Sequence, residues 1–174
     1  MKIDTSLRGV VEFAKQNRDL IQMIGNTAKD AKSVITGLAD ELDDLRQQAT
    51  ELVPDLKKQE FHVASDPQIK QQQLDILQKI ADTQKDIQRN INAPILTTPM
   101  YADLAGYYVQ LSNTYDNTIA RFVTFSDAET DELNGLLKQA TLDAIARQRW
   151  ADVLAATVKL SELALKVAIK VAAA

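Results

Sequence analysis

The sequence predicts an all-α fold, an antiparallel helical bundle built from four helical regions, two long and two short. Three observations predict it. Apolar residues recur in alternating steps of three and four along the first fifty positions, which keeps one side of a helix facing a partner. Glycine (five) and proline (four) are scarce among 174 residues. The prolines divide the periodic stretches from one another, and helix-start signals stand beside them.

The first region carries Ile3, Leu7, Val10, Ala14, Ile21, Ile24, Ala28, Ala31, Ile35, Leu38, Leu42, Leu45, Ala49 and Leu52 on one seam of coiled-coil type, with Asn17 its single polar member. Pro54 stops it, and Lys57 to Ala64 reads as a connection. At Ser65-Asp66-Pro67 a capping side chain precedes a proline whose missing N–H costs nothing at a helix start. The second helix then runs to about Asn92, with Ile69, Ile76, Ile80, Ile87 and Ile91 on one stripe, and Asn92-Ala93-Pro94 ends it. Thr98-Pro99 opens a third helix, expected to continue to about Phe125.

Ser126-Asp127-Ala128-Glu129 forms a capping box, in which serine and glutamate each satisfy an otherwise orphan backbone N–H. The fourth region runs on without proline, opening with Leu133, Leu137, Ala140 and Ala144 on one stripe. At 1.5 Å per residue the long regions would reach about 75 Å and the short ones about 37 Å. The expected shape is an elongated bundle with a thinner two-helix stalk, all of residues 1–174 forming one domain. The alternative is a break at Gly25, followed by the Thr27 cap, and another near Arg147. Those breaks would give a compact bundle of six short helices.

Composition narrows the function. The absence of cysteine removes disulfides, thiolate metal sites and cysteine nucleophiles. A net charge of −4, with basic residues thinly spread, argues against nucleic acid as a partner. The amino end lacks the apolar run of a secretory leader, and no segment is apolar enough for a transmembrane span. A cytoplasmic location is expected.

No catalytic constellation is visible. The single histidine, His62, has no second imidazole and no partner for a triad or a zinc site. Asp40, Glu41, Asp43 and Asp44 read as a solvated helix face, since no Glu-x-x-His pair accompanies them. The expectation is a non-enzymatic protein with no cofactor and no metal.

Two features bear on interaction. Tyr101, Tyr108, Tyr115 and Phe122 fall at steps of seven, which on one helix would make a row of rings. Such a row is either a core boundary or an aromatic groove for a ligand or partner helix. In the last region Asp152, Lys159, Glu162, Lys166 and Lys170 share a polar stripe, and the small residues Thr157, Ser161, Ala164 and Ala168 lie opposite. Bulky rows flank the small one: Val153, Leu160, Val167 and Val171 on one side, Leu154, Val158, Leu165 and Ile169 on the other. An apolar arc so wide needs at least two neighbours, and a stalk offers one. This helix is therefore either central in a compact bundle or an interface. The function expected is a scaffold, adaptor or binding partner acting through its terminal helices, with self-association or a protein partner. The alternative is a membrane-active bundle that exposes its last helix to lipid.

Overall fold

A computed structural model describes residues 6–25, 32–91, 93–115, 117–146 and 150–174. The described residues form six helices: α1 (Leu7–Gly25), α2 (Lys32–Leu52), α3 (Pro67–Arg89), α4 (Pro94–Ser112), α5 (Asp127–Ala146) and α6 (Trp150–Ala173). A 3-10 turn (Val53–Lys58) follows α2, and two strands, β1 (Glu60–Ala64) and β2 (Thr118–Phe122), pair antiparallel.

The elongated four-region arrangement is replaced by shorter helices packed on one another. α1 ends at Gly25, and α1 and α2 lie against each other while both contact α6. The physical reason is the seam. Its phase carries through from α1 to α2, so folding back lets both halves cover the same helix. Leu7, Val10, Ala14, Ile21 and Ile24 of α1 are buried, as are Leu38, Leu42, Leu45, Ala49 and Leu52 of α2. Ile3, Ala28, Ala31, the Thr27 cap and Arg147 lie outside the described residues, as do the side chains of Ile35 and Ala144.

α6 is the hub. It packs against α1, α2, α3, α5 and β1, and no residue between Asp152 and Ala172 is exposed. The row Thr157, Ser161, Ala164 and Ala168 is fully buried; small side chains there let neighbouring backbones come close. Each large side chain buried on this helix contributes roughly 1.5–3 kcal/mol. Lys159, Lys166 and Lys170 reach across to Asp143 (2.5 Å), Glu132 (2.8 Å) and Glu129 (3.0 Å) of α5. Partly exposed pairs of this kind add little to stability. They set the antiparallel register of α5 on α6, and apolar burial holds it.

The helix starts follow their sequence signals. Asp66 caps α3 by accepting from the Gln68 N–H (2.8 Å), with Pro67 in the first turn. At α5 the Ser126 N–H donates to Glu129 Oε1 and the Glu129 N–H donates to Ser126 Oγ, both at 3.1 Å. The Lys170 ammonium and the Ser126 N–H hold the Glu129 carboxyl below its ordinary value. On α3 the buried line is Gln73, Leu77, Ile80, Gln84 and Ile87, while Ile69, Ile76 and Ile91 are half-buried. Two amides thus enter the interior, and Gln84 donates to Ser161 of α6.

Three boundaries depart from expectation. α4 begins at Pro94 and carries Pro99 inside it, instead of opening at Thr98-Pro99. It ends at Ser112, well short of Phe125. Asn117 then takes a left-handed φ of 49°, which asparagine tolerates and a continuing helix does not. Segments read as connection and helix become β1 and β2. In β1, Phe61 and Val63 are buried while Glu60 and His62 are exposed, the alternation of a half-buried strand.

Two outcomes test this packing. Leu160→Asp places a charge at the centre of the core and should abolish the cooperative thermal transition seen by circular dichroism. Ser126→Ala should lower stability by about 1 kcal/mol in urea melts, the usual cost of losing such a cap.

Candidate functional site

The apolar arc of α6 is occupied by this chain's own helices. Val153, Leu154, Leu160, Leu165, Val167 and Val171 are buried, and Val158 and Ile169 are half-buried. The compact arrangement supplies four helical neighbours where a stalk would supply one. The partly exposed Lys166 and Ile169 form a ridge bordered by two shallow clefts. One, of about 290 Å³, lies against Phe125, Glu129 and Leu133. The other, of about 190 Å³, lies against Ala81, Gln84 and Lys85 of α3.

The aromatic row is divided between a helix, a turn and a strand. Tyr101 and Tyr108 lie on α4 and are buried. Tyr115 lies past the helix end and is half-buried, and Phe122 lies on β2, 63 % exposed. No continuous four-ring groove exists. Tyr108 and Tyr115 instead border an α1/α4 cleft of about 180 Å³ with Glu12, Lys15 and Arg18. Arg18 spans the junction: its Nη2 donates to the Tyr101 carbonyl (3.3 Å), its Nη1 to Asp19, and its guanidinium stands 6.0 Å from the Tyr101 ring centre.

The three tyrosine hydroxyls and Arg18 Nε have neither solvent contact nor a hydrogen-bond partner. A ligand in the cleft would therefore meet ring carbons and not these polar atoms. Burial pushes the Tyr101 phenol up to about 12, opposed by Arg18, and raises Tyr108 and Tyr115 as well. The cluster is a helix–helix contact that holds α4 on α1.

The two-stranded sheet has one covered edge and one open edge. Ser6, at the start of α1, bridges to His62 and covers the outer side of β1. Among the described residues β2 pairs with β1 alone, in the register Glu60↔Phe122, His62↔Ala120 and Ala64↔Thr118. All five β2 side chains are exposed, Ile119 and Phe122 among them. The ladder is pinned at one end, where Ser65 donates from its N–H (2.9 Å) and its hydroxyl (2.7 Å) to the Asn117 carbonyl. That bond makes Ser65 and Asn117 a hydrogen-bonded pair. Alternation along an antiparallel ladder then turns the backbone groups of Thr118, Ala120 and Phe122 away from β1.

Sequence reasoning missed this strand pair. The signals were the alternation of Glu60-Phe61-His62-Val63 and the β-branched and aromatic content of Thr118–Phe122. The seven-residue aromatic spacing ran through the second segment and concealed it. The remaining singled-out groups form no centre. His62 is exposed on β1, and among the described residues no group of three or more His, Asp or Glu could hold a metal ion.

The buried phenols predict alkaline sensitivity. In the unfolded chain they ionise from about pH 10, while in the fold Tyr101 resists to about 12. Their contribution is thus complete below pH 10 and lost as pH rises toward 12 and beyond, so urea midpoints should fall across that window. Tyr108→Phe removes a hydroxyl that has no partner. It should leave stability at pH 7 unchanged or raise it by about 1 kcal/mol, and a loss larger than that would show that the hydroxyl is hydrogen-bonded after all. Among known proteins, no family model, curated protein or solved structure matches the chain.

Proposed function

We propose that this protein is a non-enzymatic interaction protein, a scaffold or adaptor, whose contact surface is the open edge of β2. The terminal helices, expected to carry the interface, have their apolar faces engaged with one another. The observation that supports the reading is that β2 has every side chain exposed and, among the described residues, a backbone edge that no strand pairs.

The physical case is one of cost. An exposed phenylalanine such as Phe122 forgoes roughly 1.5–3 kcal/mol of burial. Edge strands usually carry proline, several charges or a covering loop that blocks further pairing. Here Arg121 is the only charge on β2, and β2 contains no proline. Such an edge accepts an extended segment by strand addition: main-chain bonds supply affinity and alternate side chains supply selectivity.

Release of α6 onto lipid is the competing reading, and it demands more. That helix would leave the centre of the core, and Gln84 would lose Ser161. Among the described residues no helix is long and apolar enough to cross a membrane. Action in the cytoplasm belongs to the same proposal; the cysteine-free, acidic composition suits it.

Ala120→Pro tests the surface. Its N–H points away from β1, so proline there should spare the β1–β2 ladder while blocking any added strand. Cross-linking in cell extract followed by mass spectrometry should recover partners with the parent protein and lose them with this variant. Equal recovery from both would remove β2 as the contact surface.

A further inference from the structure

We infer that the segment added to β2 is the β2 of a second copy, giving a two-fold dimer with strand order β1-β2-β2-β1. This inference rests on reading the β2 edge as the contact surface, and it names the partner.

Register parity carries the argument. The groups turned outward belong to Thr118, Ala120 and Phe122, as derived from the Ser65–Asn117 bond and the alternation of the ladder. An antiparallel pairing centred on Ala120 sets Ala120 against its counterpart and Thr118 against Phe122. Those are the residues whose N–H and C=O are free to exchange bonds. Every outward donor then meets an outward acceptor, a complementarity of partial charge that uses the full length of both strands. A shift by a single residue would set outward groups against inward ones.

Side chains agree with this centre. The smallest residue of the strand, Ala120, sits at the axis where two copies approach. Ile119 falls opposite Arg121 of the other copy, in a pair without backbone bonds, where side chains stand closest. The arginine stem can then cover the exposed Ile119 while its guanidinium reaches water. No two like charges face each other directly, because Arg121 is the strand's only charged residue. Phe122 lies over Thr118 of the partner strand.

The pairing is weak by construction. Two five-residue strands bury less than the roughly 1,200 Å² of standard stable interfaces, so monomer and dimer exchange with concentration.

Sedimentation velocity across a hundredfold concentration range tests the inference. The parent protein should rise from 19.3 kDa toward twice that mass. Ile119→Lys sets a second positive charge opposite Arg121 of the other copy and should return the protein to monomer. The double variant Ile119→Lys/Arg121→Glu places opposite charges there and should restore the dimer. Amide exchange at Ala120 and Phe122 should slow as concentration rises, and circular dichroism should show all variants equally helical. A parent protein that stays monomeric throughout, or a dimer indifferent to Ile119→Lys, would overturn self-pairing. Partners lost with Ala120→Pro would in that event leave β2 standing as a contact surface for a foreign strand. If that variant loses no partner and no dimer, the surface itself is wrong.

Discussion

Everything in this fold depends on burying α6. Its apolar arc is too wide for one neighbour, and the chain meets that constraint by folding its long helical regions back on themselves. α1 and α2 cover one side, α3 and α5 the others, and β1 reaches the same core. The row of Thr157, Ser161, Ala164 and Ala168 makes the arrangement possible, since bulkier residues there would push the neighbours apart. Once α6 is enclosed, the apolar faces of the other helices have little choice of orientation.

Polar groups then decide register more than stability. The three lysines of α6 pair with carboxylates spaced along α5, and the Ser126/Glu129 box fixes where α5 begins. Glu129 serves both, accepting from Ser126 and from Lys170. At the interior, Asn17 donates to the Phe13 carbonyl (2.8 Å) and leaves its own oxygen unpaired. The tyrosine hydroxyls on the α1/α4 side are unpaired as well. Each unpaired hydroxyl costs about 1–3 kcal/mol, set against the burial of its ring.

The small sheet is where the molecule turns from folding to contact. β1 is anchored by Phe61 and Val63 and covered by Ser6, so it behaves as core. β2 hangs on β1 and meets water on both faces. A strand held by one neighbour and pinned at Asn117 is preorganised for another, because its ordering cost is already met by the fold. The function proposed here uses that preorganisation and needs no movement of the helices.

Local pattern determined a good deal on its own. The seam residues of α1 and α2, the Asp66-Pro67 start and the Ser126/Glu129 box are all consequences of nearest-neighbour chemistry and helical period, and they stand where the sequence places them. So does the buried small row of α6. Tertiary structure decided the rest. A seam whose phase runs unbroken past Gly25 is compatible with one long helix or two folded ones, and only the need to cover α6 selects between them. Seven-residue aromatic spacing from Tyr101 to Phe122 is compatible with a helix throughout. Pairing with Glu60–Ala64, a third of the chain away, is what turns Thr118–Phe122 into a strand. Period reports which side of a segment is apolar; it cannot report which distant segment will cover that side.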